Sequence, residues 1–118
     1  AGMDLKSPIC TTVPARGSVV IDLGVHMELP YGTVGILKSK SGLNVKHGIT
    51  PTGTIDEGYT GSVKVKLYNH SDTDYIIHRG DKVTQLVVVE CLYPTIEIVD
   101  HIKRDTERGE GGFGSTGR

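Results

Sequence analysis

Residues 19–29 alternate in polarity. Val19, Ile21, Leu23, Val25, Met27 and Leu29 are apolar, and Asp22, His26 and Glu28 stand between them. Successive side chains of a strand point to opposite faces, so the segment predicts a strand with one buried face. Pro30-Tyr31-Gly32 ends it with a turn. Val63, Val65 and Leu67 repeat the pattern around Lys64 and Lys66, as do Ile96 and Ile98 around Glu97. Val83 to Leu92 is a longer β-branched run, interrupted by Gln85 and Glu90. Only Ser41 to His47 has the character of a helical turn. Short strands separated by Gly- and Pro-containing turns predict an all-β barrel or jelly roll.

The chain has 118 residues, one domain's worth, with a limited core that favours oligomerisation. Its formal net charge of −1 argues against a nucleic-acid coat or a membrane-surface protein, which rely on a basic excess. The longest apolar run, Leu86 to Val89, is far short of a membrane span. No secretory pattern opens the sequence. It starts at Ala1, so a longer natural chain is expected around it. Cys10 and Cys91 lack metal-type spacing and are expected as reduced thiols in a cytoplasmic protein, or a nuclear or host-cytoplasmic one if viral.

Three segments carry chemistry. Residues 108–118 read RGEGGFGSTGR, with Phe113 as the single apolar anchor. Such a stretch buries too little surface to offset its backbone entropy, so composition leaves two readings, an arm mobile until something binds it and a plain disordered tail or expression scar. Its glycine N–H groups can converge on an anion, Arg108 adds a planar fork, and Phe113 can stack on a base. The segment from Gly53 to Gly61 joins two β segments. It reads as a hairpin with Asp56 and Tyr59 near its tip, where an Asp can act as a general base. Lys38-Ser39-Lys40-Ser41-Gly42 sets hydroxyls and lysines beside a helix start, which suits an anion or a simple N-cap.

In this order, the segments resemble the trimeric dUTPase family over nearly the whole chain. Ala1 to Leu5 is similar to the family's first motif, and Ser39 to Gly48 to the second. Gly53 to Gly61 resembles the third, Gly80 to Leu86 the fourth, and Arg108 to Gly117 the fifth. The resemblance implies a distorted jelly-roll β-barrel, assembled as a homotrimer with active sites shared between subunits. It implies a core over residues 1–103 and a flexible Gly-rich C-terminal arm over 104–118 that closes over the site. The implied activity is hydrolysis of dUTP to dUMP and pyrophosphate with Mg2+, without nucleic-acid or membrane partners.

The same resemblance assigns roles. Asp56 is the general base, activating the water that attacks the α-phosphorus. Tyr59 packs under the deoxyribose and excludes a 2′-hydroxyl. Backbone groups of the third motif, Gly53 among them, pair with the uracil edge. Lys40, Ser41, Gly42 and Gln85 contact the phosphates. Arg108, Gly114, Ser115 and Thr116 grip the γ-phosphate, and Phe113 covers the base. Magnesium is held mainly by substrate and waters, with Asp4 supporting it at second hand.

The sequence also departs from the family's pattern. Lys40 stands where Arg is usual and lacks its planar fork, and Met3 replaces an aromatic. The strand that usually precedes the first motif lies outside this numbering, so a short N-terminal piece is expected to be missing, and Thr50-Pro51-Thr52 is short. Two rivals remain. A dCTP deaminase of the same fold would carry a Glu where Lys66 stands. A nucleotide-dependent regulatory protein of this fold would bind dUTP and use the arm as its switch.

Overall fold

The computed structural model describes residues 1–103, 105–114 and 117. The strands are β1 (Met3–Lys6), β2 (Thr11–Val13), β3 (Ser18–Asp22), β4 (Thr33–Lys38), β5 (Ile49–Thr52), β6 (Thr54–Ile55), β7 (Lys64–Asn69), β8 (Tyr75–Ile77) and β9 (Lys82–Glu90). One helix, α1 (Ser41–His47), follows β4, where the sequence allowed its one helical turn. Every pairing is antiparallel, in sheets ordered β1-β9-β4-β6, β3-β7-β5 and β2-β8. This is the all-β jelly-roll architecture that the alternating pattern and turns predict.

The sheets enclose one core, built from Leu5, Val13, Ile21, Leu37, Ile55, Val65, Leu67, Ile77 and Leu86 with their neighbours. Asn69 is buried among them with its amide satisfied. Its Nδ2 donates to the Val13 and Thr73 carbonyls at 3.0 and 2.9 Å, and its Oδ1 accepts from Ser71 N–H at 2.9 Å. A buried amide so paired avoids the desolvation cost and ties β2 to the turn after β7.

Two strand expectations are corrected. The alternating segment is a paired strand only to Asp22, not to Leu29. Gly24, at φ 68, bends the chain there. Two bonds straddle it, Leu23 N–H to the Val63 carbonyl and Val63 N–H to the Val25 carbonyl, at 2.9 and 2.8 Å. The in–out alternation of burial nevertheless continues to Leu29. Ile96 and Ile98 form no strand, and both are almost fully exposed. A strand needs a neighbour for its backbone groups, and within the single chain none runs beside this segment. Beyond β9, the described residues hold no strand or helix. The Cα radius of gyration is 18.7 Å, against roughly 13 Å for a compact chain of this length.

Candidate active site

Gly53 marks the place where the chain changes sheets. β5 pairs with β7, whereas β6 pairs with β4. The Gly53–Gly61 segment closes the hairpin that its sequence suggested, since the flanking strands β5 and β7 pair antiparallel with each other, while β6 within it leans on β4. It turns a corner at Gly53, runs along β4, and arches back across to β7. A Cβ on Gly53 would stand 2.6 Å from Leu37 Cδ1. Only a glycine lets the corner lie so close to β4, where its carbonyl accepts the Leu37 N–H at 3.0 Å. At the top of the arch, Tyr59 N–H donates to the Asp56 carbonyl at 3.1 Å, with Gly58 at φ 85. This is a type II turn, whose third position favours glycine.

Where the two sheets separate, a groove of ≈ 300 Å³ opens, lined by Thr54, Ile55, Asp56, Tyr59, Ser62, Val63 and Lys64. Asp56 is exposed on one wall and Lys64 lies on the other. Tyr59 is 45% exposed. Its hydroxyl donates to the Ser62 carbonyl at 2.8 Å, and a Cβ on Gly61 would come within 2.5 Å of that hydroxyl. The ring thus lies directly over Gly61. The Ser62 hydroxyl in turn donates to Asp22, which also accepts Gly24 N–H. These bonds, Ser62 first, hold the Asp22 carboxyl below the usual carboxylate range.

A second cluster joins three segments that are distant in sequence. β1 and β4 flank β9, so Gln85 lies between Asp4 and Lys38 in register. Gln85 Nε2 donates to the Ser39 carbonyl at 2.8 Å, and Thr84 Oγ1 to the Lys38 carbonyl at 2.9 Å. These bonds fix the entry to α1, which presents Ser41 and Gly42 exposed. Lys40 Nζ pairs with Asp4 Oδ1, and Lys82 Nζ lies 3.4 Å from Asp4 Oδ2. The Lys40 hydrogen bond chiefly holds the Asp4 carboxyl below its ordinary value; partial desolvation opposes it and Lys82 adds to it. Asp4 thus holds two ammonium groups beside Gln85.

Arg108 Nε donates to the Gly111 carbonyl at 2.7 Å, and Gly111 N–H to the Arg108 carbonyl at 3.0 Å. Phe113 is fully exposed and Gly114 adopts φ 78. Ser115 and Thr116 lie outside the described residues.

Sequence reasoning missed Glu57. Its Oε1 accepts the Gly32 N–H at 2.7 Å and the Tyr93 hydroxyl at 3.4 Å. It thereby fastens the arch beside Asp56 to the turn after residue 29 and to the root of the C-terminal segment. Ser62, Lys64 and Lys82 were also missed, as was Asp22, which touches Ser62 and does not line the groove. Their polar character was visible, but nothing local in the sequence pointed them at the arch or at Asp4.

Among the described residues, no three His, Cys, Asp or Glu converge on a point where a metal would sit. Asp4 already faces two lysines, and Asp56 opens onto the groove. Mg2+ takes oxygen ligands and keeps several waters. This donor set fits an ion that arrives on a polyphosphate better than one caged by side chains. Cys10 and Cys91 are unpaired.

Comparison with known proteins points one way. The dUTPase family model matches residues 1–117. The chain is 46% identical to the deoxyuridine 5'-triphosphate nucleotidohydrolase of Candida albicans, covering 100% of this chain and 76% of that protein. It is 42% identical to the protein of that name from Paramecium bursaria Chlorella virus 1, over 99% of this chain and 83% of the relative. Among solved structures, the Staphylococcus bacteriophage 80alpha dUTPase with dUPNHPP superposes with a TM-score of 0.92 at 30% identity, covering 100% of this chain and 86% of that one. A phage phi11 dUTPase variant, described with a structural Mg(II) ion, superposes with a TM-score of 0.79 at 27% identity, over 87% of this chain and 85% of its own.

Proposed function

The chain belongs to the dUTPase family, and from that premise we propose that it hydrolyses dUTP to dUMP and pyrophosphate with Asp56 as the general base. The observation that carries this reading is the position of Asp56. It stands on the wall of a groove where two sheets part, with Tyr59 braced beside it.

Asp56 accepts a proton from a water as that water's oxygen bonds to the α-phosphorus. The bond from the α-phosphorus to the oxygen bridging to the β-phosphate breaks, and its electrons leave with pyrophosphate. Phosphate charge repels the attacking oxygen, so neutralising that charge is most of the task. Lys40 and Gln85 stand together to meet phosphate oxygens, with Ser41 and Gly42 at the adjoining helix start. Lys40 is oriented by Asp4, which compensates for the absence of a guanidinium fork. A magnesium ion arriving with the substrate would supply further positive charge, with Asp4 as the residue that would support it. Arg108, Gly114, Ser115 and Thr116 close on the γ-phosphate, with Phe113 over the base, once the arm, residues 104–118, folds down. Tyr59 occupies the space a 2′-hydroxyl would need.

We further propose a homotrimer with shared sites. Leu92, Ile96, Ile98 and Ile102 are each at least three-quarters exposed along one segment. An apolar stretch of that kind calls for a covering surface, and a second copy supplies one. Sedimentation should give three times 12.7 kDa. The deciding assay is pyrophosphate release from dUTP, dCTP, dTTP and UTP side by side. Turnover of dUTP alone is the expected result. Binding of dUTP without release would instead support a regulatory role, and ammonia release from dCTP a deaminase.

A further inference from the structure

Two polar positions of the alternating segment, Asp22 and His26, reach the loop that carries Tyr59. Asp22 Oδ1 accepts from the Ser62 hydroxyl, and from Gly24 N–H at 3.0 Å. His26 Nδ1 lies 2.8 Å from the Thr60 carbonyl. A carbonyl can only accept, so Nδ1 carries the proton in this bond. Between these two braces, Val63 exchanges backbone bonds with Leu23 and Val25. The bend at Gly24 separates Asp22 from His26, and each reaches the loop at its own residue. Tyr59 is tied to the same loop by its hydroxyl on the Ser62 carbonyl and by its ring over Gly61. Neither Asp22 nor His26 falls within the five motif segments.

We propose that Asp22 and His26 are positioning residues for sugar discrimination, clamping residues 60–62 so that Tyr59 is fixed against the groove. The inference rests on the reading of Tyr59 as the barrier to a 2′-hydroxyl. A barrier of that kind works only if the ring cannot swing aside, and functional groups need to be held to within about 0.5 Å by their supporting shell. Tyr59 is half-exposed, and among the described residues its hydroxyl bonds to the Ser62 carbonyl. That carbonyl is as steady as the loop, and the loop's side-chain braces come from Asp22 and His26.

The test is steady-state pyrophosphate release from dUTP and UTP by the full chain and by Tyr59→Ala, Ser62→Ala, Asp22→Ala, Asp22→Asn and His26→Ala. Loss of one brace should raise the ratio of kcat/KM for UTP over dUTP about three- to tenfold, the scale of one hydrogen bond. In the Asp22 and His26 variants this should come through KM, with kcat on dUTP within about twofold of the parent. Asp22→Asn keeps an acceptor oxygen and should restore most of the discrimination. Adding Asp22→Ala to Tyr59→Ala should change the ratio no further, because the clamp acts through the ring. An unchanged ratio in both Ser62→Ala and His26→Ala, with a shifted ratio in Tyr59→Ala, would overturn the clamp and leave the barrier standing. An unchanged ratio in Tyr59→Ala would overturn the barrier itself, and the clamp with it. An equal loss of kcat on both nucleotides would show a general structural role and also overturn the proposal. If Asp22→Ala does not fold, Ser62→Ala decides, since it spares the Gly24 bond and the backbone.

Discussion

The arch around Asp56 and the C-terminal segment make a contrast. Both are rich in glycine, yet they are held in opposite ways. The arch is bound to the rest of the molecule at Gly53, Glu57, Thr60 and Ser62, by partners on β4, in the turn at Gly32 and on the segment 22–26. Around Arg108 the C-terminal segment bonds locally, to Thr106, Gly111 and Gly112. Glycine composition alone does not tell a loop tied to distant strands from a turn bonded to its own neighbours; the hydrogen bonds do. A general base benefits from a fixed position before substrate arrives. A cover that admits substrate benefits from the opposite, and its ordering entropy is then met by phosphate contacts.

The sharpest way to separate the two regions is to damage each. Asp56→Asn should retain dUTP binding while kcat falls on the order of 10²–10⁴, the usual cost of a general base. Near-normal kcat would move the base elsewhere. Deleting residues 108–118 should lower kcat/KM on the order of 10²–10³ through lost charge stabilisation, with the melting temperature almost unchanged. A non-hydrolysable dUTP analogue with magnesium should protect the arm from protease, and dUMP much less; full activity of the truncated chain would break the comparison.

Glycine substitutions sharpen it further. Gly53→Ala forces a Cβ to 2.6 Å from Leu37 Cδ1 and should destabilise the protein by about 1–3 kcal/mol, the cost of overpacking. Gly112→Ala meets nothing within 4 Å and should stay within about 0.5 kcal/mol. Denaturant midpoints of the two variants, measured together, check both.

The smallest effect concerns Asp4. Its carboxyl is depressed by Lys40, so the stability it contributes is present above the unfolded value, near 4, and is lost as pH falls through the lowered folded value. The difference in melting temperature between the parent and Asp4→Asn should therefore shrink as pH is taken from 6 toward 3. A difference that is constant across that range would mean the Asp4–Lys40 pair contributes nothing.

Much of this was legible in the sequence. The period-two pattern assigned inside and outside correctly through Leu29, even where pairing stops at Asp22. The strand at Val83 was read almost whole, and the helical turn at Ser41–His47 as it stands. The motif order gave the family. The Gly53–Gly61 hairpin was read as it stands, since β5 and β7 pair across it, but its contact with β4 through β6 was not visible in the sequence. Ile96 and Ile98 misled because alternation specifies a face, not a neighbour.

Local chemistry thus settled which residues are apolar and where the chain turns, since those depend on spacing along the chain. The tertiary structure decided which of them meet. Asp4, Lys40 and Gln85 share a cluster because β9 lies between β1 and β4. Asp22 reaches Ser62 across 40 residues because β3 and β7 are neighbours. Such contacts follow from strand order and register. Both are fixed by how the sheets bury their apolar faces together, and no window of the sequence contains that information.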